Sequence, residues 1–184
     1  MASATTRGRI LTAAEDVVLS EGVAHLTLEK AAARAGVSKG GVLYHFPARS
    51  ALVAAMVERL AAGYDDALAG RPGGPAGSGD AFARAYVDET FGEIATPRAE
   101  RAQRLGAAVL AAMASEPELL APLRAAFTRW QARIEQDSAD PVPATIARLA
   151  ADGLWLSELF GLGPLDDDLR RRVRAALLSA LDAS

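Results

Sequence analysis

Cysteine is absent from the 184-residue sequence, and histidine occurs only twice. A chain without cysteine cannot form disulfides, zinc–thiolate sites or a cysteine nucleophile. With two histidines, the candidates for a general base are mainly carboxylates, and these are expected at the surface. The sequence also lacks a G-x-S-x-G or H-E-x-x-H motif, and its SKGG segment lacks the other residues of a P-loop. We therefore expect no enzymatic activity, no metal site and no cofactor.

Long apolar runs are also missing. The longest, residues 105–115, lies between an arginine and a glutamate and is shorter than the roughly 20 residues that a membrane-spanning helix needs. The first apolar patch, residues 10–19, is interrupted by Glu15 and Asp16, unlike the continuous apolar stretch of a signal peptide. The expectation is a soluble, cytoplasmic protein that makes no contact with membrane.

Aromatic residues make up only 5% of the chain and β-branched residues are sparse, whereas alanine, leucine and arginine are abundant. This composition favours helices over sheets. Apolar residues recur at helical spacing between Gly and Pro stops, and no segment shows the alternation of a strand. The pattern predicts an all-α fold of about nine helices: three short ones, a longer fourth, and five in the body (residues 82–94, 102–113, 119–134, 146–160 and 169–181). GRPGGPAGSG, residues 70–79, predicts a surface loop.

Charge is distributed unevenly along the chain. The first 63 residues carry a net charge of +2 and the remainder carries −5, within an overall −3. A mildly basic head on an acidic body fits a head that meets phosphates.

Residues 26–52, LTLEKAAARAGVSKGGVLYHFPARSAL, predict two short helices around a tight turn. Thr27 and Ser38 are good N-caps, and Gly36 suits a helix C-terminus, where a positive φ is common. Phe46 closes the core beneath the second helix, and Pro47 ends that helix. The result is a helix-turn-helix.

The second helix of this motif begins with two glycines, Gly40 and Gly41, although each glycine in a helix costs about 1 kcal/mol relative to alanine. Close approach of the backbone to a ligand surface would explain them. Donors and positive charge surround them: Lys39, Tyr44, His45 and Arg49. Such a tip is what a helix entering a major groove needs.

At these residues the chain resembles regulators of the TetR family. AGVSKGGVLYHFPARSAL is similar to the family's signature, and the similarity extends back to about Arg7. The resemblance implies a three-helix DNA-binding head at residues 1–62. It also implies a regulatory, ligand-binding and dimerising body at residues 63–184, a homodimer formed largely by the last two helices, a palindromic double-stranded DNA operator, and a small-molecule effector.

The resemblance also implies roles for individual residues. The implied phosphate contacts are Thr27, Ser38, Tyr44 and Arg49, and the implied groove-facing residues are Lys39, Gly40, Gly41 and His45. The chain departs from the family pattern twice: Leu43 stands where an aromatic residue is frequent, and Arg49 where lysine is usual. Operator sequence is therefore harder to predict than the mode of binding.

Candidate ligand-contacting residues are the large apolar side chains of the body: Phe91, Met113, Phe127, Trp130 and Trp155. At helical spacing, aromatic residues and methionine more often pack in the core. Polar residues beside the same stripes favour a cavity, because a binding site needs a few polar groups among apolar walls. These polar residues are Gln103, Arg104, Arg133 and Asp152.

The last two predicted helices have broad apolar faces, consistent with a dimer interface: Leu149, Leu154, Leu156, Leu159 and Phe160 on one, and Leu169, Val173, Leu177 and Leu181 on the other. The arginines at 170–172 follow the aspartates at 166–168 by four residues each, which predicts ion pairs along one exposed face rather than a nucleic-acid site.

The sequence therefore predicts a ligand-responsive transcription repressor that binds a palindromic operator as a dimer and is released by a small molecule. Two alternatives stay open. One is a constitutive DNA-binding regulator with no ligand pocket, and the other is a helical interaction protein that does not bind DNA.

Overall fold

The structure, a computed structural model, describes residues 5–71, 80–92, 96–113 and 116–182, without the side chains of residues 98, 112, 113, 117 and 118. These residues form nine α-helices and two short 3-10 turns and contain no strand, which confirms the predicted all-α fold. Residues 72–79 of the predicted loop lie outside the described residues. The helices are α1 Thr6–Glu21, α2 Leu28–Ala35, α3 Lys39–His45, α4 Arg49–Ala69, α5 Ala81–Phe91, α6 Pro97–Met113, α7 Ala121–Asp137, α8 Pro141–Phe160 and α9 Asp167–Asp182, with 3-10 turns at Val23–His25 and Pro117–Leu120.

The local signals that delimit α2 and α3 act as expected. The Thr27 hydroxyl accepts a hydrogen bond from the Lys30 amide at 3.1 Å, and Gly36 ends α2 with φ +66°. The Ser38 hydroxyl caps α3 by accepting from the Gly41 amide at 3.1 Å. The predicted helix-turn-helix is therefore present, and both ends of α2 and the start of α3 are closed by the residues that the sequence indicated.

The chain divides into two compact units, Met1–Ala61 with Thr96–Arg124, and Ala62–Ala95 with Ala125–Ser184. Helices α4 and α7 contribute residues to both units. These units are defined by contacts, whereas the predicted boundary after residue 62 separates functions. That functional boundary stays a prediction.

The first unit surrounds a core built from α1–α3, the start of α4, and α6. Phe46, Leu52 and Met56 are almost fully buried there, and Leu105 and Val109 of α6 belong to the same core. Charged groups join α1 to α4 and α6: Arg59 Nε donates to the buried Glu15 at 2.7 Å, and Arg101 contacts Asp16 at 2.6 Å. The short helix α3 therefore rests on a core larger than three helices could supply.

The second unit packs α5 against α8 and α9. Small residues on α8, among them Ala144, Ala147 and Ala151, are buried and let the helices approach closely. Arg174 of α9 bonds to Asp88 of α5 at 2.6 Å, and Arg84 of α5 bonds to Asp182 at 2.6 Å. Charged pairs thus fix α9 along α5.

The predicted ion pairs within α9 are only partly present. Arg171 and Arg172 both contact Asp168, at 3.2 and 3.8 Å, on an exposed face, but among the described residues Asp166 and Asp167 do not pair with the arginine four residues later. The Asp166 carboxylate instead caps the helix by accepting from the Leu169 amide at 2.8 Å. A carboxylate at a helix N-terminus finds free amides nearby, and these amides bind it in place of an arginine one turn later.

Among the α9 arginines, Arg170 differs most from its predicted role. Its guanidinium donates to the carbonyl oxygens of Thr90, Phe91 and Gly92 at 3.0–3.2 Å and also pairs with Glu158. These carbonyls end α5 and have no partner within their own helix, so a guanidinium fork satisfies them well. Arg170 therefore closes the end of α5 instead of stabilising an exposed face of α9.

No helix in the described part of the chain is both long enough and apolar enough to cross a membrane.

Candidate DNA-binding surface and ligand cavity

The N-terminal end of α3 is exposed. Ser38, Lys39 and Gly40 are open to solvent, and Gly41 is half-buried, while Val42 and Phe46 on the opposite side enter the core. The helix therefore keeps its apolar face on the unit and leaves its amide-bearing tip uncovered. Free amides at such a tip can bind an anionic group such as a phosphate.

The fold itself does not require glycine at positions 40 and 41. Neither has the positive φ found at Gly22 and Gly36. A Cβ at Gly40 would meet only the Ser38 hydroxyl at 3.9 Å, and one at Gly41 would meet that oxygen at 3.4 Å, which is ordinary contact. Since neither backbone conformation nor internal packing selects glycine here, the small size of these residues points to a surface outside the protein.

Charge and donors flank this tip. Tyr44 is 85% exposed and its ring lies edge-on to His45, with 5.0 Å between the centroids. Lys39 contacts Glu29 at 2.6 Å, and both side chains are 59% exposed. An ion pair this exposed contributes little to stability, so Lys39 can exchange Glu29 for a phosphate at small cost. Lys39 also lowers the pKa of Glu29 by donating a hydrogen bond to its carboxylate.

Arg49 is held differently from the other predicted phosphate contacts. Its Nη1 contacts both carboxylate oxygens of Glu116 at 2.8 and 3.0 Å, and its Nη2 donates to the Val23 carbonyl at 3.1 Å. Thr27 is exposed and caps α2. DNA contact by all eight predicted residues stays a prediction. For Arg49, contact with a phosphate requires that its guanidinium either leave Glu116 or bind Glu116 and the phosphate together.

The predicted ligand residues are only partly brought together. Phe127 and Trp130 lie with ring centroids 5.1 Å apart, and Trp130 is buried. Phe91 is buried elsewhere, beneath the guanidinium of Arg170 at 5.9 Å from its ring centroid. Trp155 is half-buried on α8, and the side chain of Met113 lies outside the described residues. The contact of these five residues with a ligand stays a prediction.

Sequence reasoning missed two tyrosines that complete this aromatic cluster. Tyr64 and Tyr86 lie 5.3 Å apart, at 5.2 and 5.7 Å from Trp130. The Tyr64 hydroxyl is 2.6 Å from the Thr90 hydroxyl, and the Tyr86 hydroxyl donates to Asp152 at 2.6 Å. The spacing of Phe82 and Tyr86, four residues apart on one helix face, was the available signal.

Burial changes the pKa of three groups in this cluster. It raises the pKa of both phenols, so Tyr64 and Tyr86 stay protonated at neutral pH. Burial also raises the pKa of Asp152, although the hydrogen bond from Tyr86 and the charge of Arg148 act in the opposite direction. Arg148 contacts Asp152 at 2.5 Å and Gln131 at 2.8 Å, so this carboxylate has two partners within the unit.

A cavity of about 460 Å³ lies beside the cluster in the second unit. This volume falls within the roughly 300–1,000 Å³ of typical small-molecule sites. Of the residues predicted to contact a ligand, only Trp130 lines it. Its lining residues are Asp65, Leu68, Ala69, Arg71, Ala81, Phe82, Ala85, Arg129, Trp130 and Arg133. A shallower cavity of about 410 Å³ includes Phe127, Gln131 and Arg148.

Two family models match the chain. One, described as bacterial regulatory proteins of the tetR family, matches residues 10–56, and the other, described as a tetracyclin repressor-like C-terminal domain, matches residues 80–182. The chain belongs to the TetR family. It is a transcriptional regulator with a DNA-binding helix-turn-helix, and TetR-family regulators are generally not enzymes.

Several solved structures are similar over nearly the whole chain. A regulator from Streptomyces coelicolor A3(2) is 23% identical with a TM-score of 0.73, covering 94% of this chain and 97% of its own. A TetR-family member from Streptomyces coelicolor A3 is 26% identical with a TM-score of 0.70 and the same coverage. The multidrug binding protein EbrR, complexed with ethidium, is 26% identical with a TM-score of 0.66, covering 94% and 98%. A search of curated proteins found no match.

Proposed function

We propose that this TetR-family protein is a ligand-responsive transcription repressor that binds a palindromic operator as a homodimer in the cytoplasm and is released by a small molecule. The observation that carries the proposal is the uncovered tip of α3, where two glycines serve neither the backbone conformation nor the packing of the fold. A helix with such a tip can bring its backbone close to the edge of a base pair.

Within this proposal the residues around α3 divide into two groups. Hydroxyls and cations at the edges contact phosphates and set the register of the head on the duplex; these residues are Thr27, Ser38, Tyr44 and Arg49. Groove-facing residues determine which sequence is bound, and these are Lys39, Gly40, Gly41 and His45. The hydroxyls of Thr27 and Ser38 accept from amides as caps, and each still carries a hydrogen that can be donated to a phosphate.

An apolar stripe on α8 supports the homodimer. Val142, Ile146, Leu149, Leu156 and Phe160 recur at helical spacing and are each between 44% and 59% exposed. Gly153 occupies the gap in the stripe, and a Cβ there would have no atom within 4 Å. A continuous exposed stripe about 27 Å long, with a glycine at its centre, suits close packing against a second helix. Leu154 and Leu181, also predicted for the interface, are buried within the unit.

Release by a small molecule has two supports. The second unit holds a cavity beside an aromatic cluster, and EbrR, similar over most of its length, binds ethidium. An effector reduces DNA affinity only if it binds the DNA-incompetent conformation more tightly than the competent one. Helix α4 contributes residues to both units, and we propose that this helix carries the change.

The decisive experiment measures DNA affinity as a function of salt. The purified chain should bind a duplex from its own promoter region, and log K should fall linearly with log salt concentration. Lys39→Ala should weaken binding to operator and to random DNA, and to the operator more strongly, because Lys39 faces the groove and also carries positive charge close to the phosphates. Arg172→Ala, which removes an exposed arginine from α9, is the matched control and should change neither quantity.

Equal effects of the two substitutions would contradict the assignment of α3 as the DNA-contacting helix. Failure of the purified chain to bind any double-stranded DNA in a salt-dependent way would contradict the proposed function as a whole.

A further inference from the structure

We propose that the larger cavity of the second unit takes an amphipathic organic anion, a carboxylate or sulfonate on an apolar body. This inference rests on the proposed function and narrows it to one chemical class of effector. It is carried by the side chains that line the cavity, with contributions from α4, α5 and α7.

Positive charge converges on this cavity. Arg129 and Arg133 both line it from α7, and Arg71 lines it from two residues beyond the end of α4. The two α7 arginines are four residues apart on one helix face, a spacing at which like charges repel and destabilise a helix. A bound anion between them would turn that repulsion into an attraction.

Each of the three arginines has a carboxylate partner, but only one of these carboxylates is among the lining residues. Arg71 bonds through Nε to Glu89, and Arg133 contacts Asp137, but neither carboxylate lines the cavity. Asp65 is the one carboxylate among the lining residues, and it is shared by Arg129 at 3.2 Å and the Trp130 indole N–H at 2.6 Å. The contacts of Arg129 and Arg133 use one guanidinium nitrogen each, and a guanidinium presents five N–H donors.

The remaining lining is apolar. Leu68, Phe82 and Trp130 form its largest surfaces, with small alanine side chains between them. The Arg133 guanidinium lies 5.2 Å from the centroid of the Phe82 ring. An apolar body on these surfaces would place its anionic head at the two α7 arginines, whose side chains are 58% and 64% exposed.

A lipophilic cation fits this cavity less well. It would lie beside three arginines, and the carboxylates that could attract it already have cationic partners, Asp65 in Arg129 and Asp152 in Arg148. We therefore expect this cavity to bind organic anions more tightly than organic cations. The relative EbrR, in contrast, was crystallised with ethidium, an organic cation.

The test is isothermal titration calorimetry of the full chain with two probes that share a ten-carbon chain and differ in charge. Decanoate and decyltrimethylammonium are each titrated below their micelle-forming concentrations, in the absence of DNA. Decanoate should bind saturably and at least tenfold more tightly than the cation.

The variants R129Q and R133Q, singly and together, assign the site. The double variant should bind decanoate at least tenfold more weakly than the original chain. The control variant R172Q replaces an exposed arginine on α9 and should bind decanoate with unchanged affinity. Circular dichroism confirms that each variant is folded, and the single variants replace the double one if it is not.

Three results would overturn the inference: tighter or equal binding of the cation, unchanged decanoate affinity in the arginine variants, or no binding of either probe. None of these affects the salt-dependent DNA binding described above, so failure of this inference and failure of the proposed function are separately visible.

Discussion

Replacing Gly40 by alanine is expected to change stability and DNA affinity in opposite directions. It is exposed, it has no positive φ, and a Cβ would meet only the Ser38 hydroxyl at 3.9 Å. Gly40→Ala should therefore raise the free energy of unfolding by about 0.5–1 kcal/mol, because alanine is the better helix former. The same methyl group should lower operator affinity by holding the backbone away from the groove. Urea unfolding and fluorescence anisotropy measure the two effects.

Gly63 supplies the matched control for this substitution. It lies inside α4, and a Cβ there would have no atom within 4 Å. Gly63→Ala should stabilise the chain by a similar amount and leave operator affinity unchanged. If Gly40→Ala bound the operator as tightly as the original chain, the explanation offered for the two glycines would be wrong.

Arg49 allows a second test on a single residue. Its ion pair with Glu116 occupies the guanidinium that is predicted to contact a phosphate. Glu116→Gln removes the competing charge and should raise DNA affinity several-fold, with a steeper dependence on salt, because phosphate then has no competitor for the arginine. Anisotropy titrations at several salt concentrations measure both quantities.

The companion variant Arg49→Ala separates the two possible roles of this arginine. If Arg49 contacts DNA, Arg49→Ala should weaken binding and abolish the gain from Glu116→Gln in the double variant. If Glu116→Gln left affinity unchanged or lowered it, the ion pair would be a structural brace and Arg49 would not be a phosphate contact.

Among the helices, the contact of α9 with the end of α5 depends on one side chain. Arg170 donates to the carbonyls of Thr90 and Phe91 in the last turn of α5 and of Gly92 just after it, and it also pairs with Glu158. Arg170→Met keeps much of the side-chain volume but leaves those groups without their partner, so the free energy of unfolding should fall by about 2–3 kcal/mol. Urea unfolding monitored by circular dichroism measures the loss.

Arg172→Met is the matched control on the same helix, since Arg172 is 75% exposed and contacts only an exposed aspartate. It should change the free energy of unfolding by less than about 0.5 kcal/mol. Equal losses from the two substitutions would show that Arg170 does not hold α5 in the way the structure indicates.

For the whole molecule, the proposed dimer makes stability depend on concentration. If α8 pairs with a second copy, Tm should rise with protein concentration, because association stabilises only the folded state. Leu149→Glu with Leu156→Glu places two charges in the exposed stripe of α8 and should give a monomer with a Tm independent of concentration. Light scattering and thermal unfolding at several concentrations test both points.

Leu43→Glu is the matched control for the dimer, because Leu43 is also a half-exposed leucine, 41% accessible, but lies on α3. It should change DNA binding and leave the oligomeric state unchanged. An original chain that stayed monomeric at tens of micromolar would contradict the proposed homodimer.

The amino-acid sequence by itself determined where α2 begins and ends and where α3 begins. The Thr27 and Ser38 caps and the left-handed Gly36 operate within four residues of the groups that they satisfy, and the apolar period that marks each helix is equally local. The exposed tip of α3 follows from the same signals. The all-α fold, the helix-turn-helix and the family could therefore be predicted before any contact was known.

Only the tertiary structure decided which side chains meet across the chain. Tyr86 finds Asp152 66 residues later, Arg170 reaches the carbonyl end of α5, and Arg49 is bound by Glu116. The sequence places aspartates four residues before the α9 arginines, but Arg170 binds the carbonyl end of α5 instead. Carbonyls at a helix end have no partner within their own helix, and they bind a guanidinium more strongly than an exposed carboxylate does. The rotation of each helix about its own axis depends on the neighbours that it packs against, and one helix alone does not contain that information.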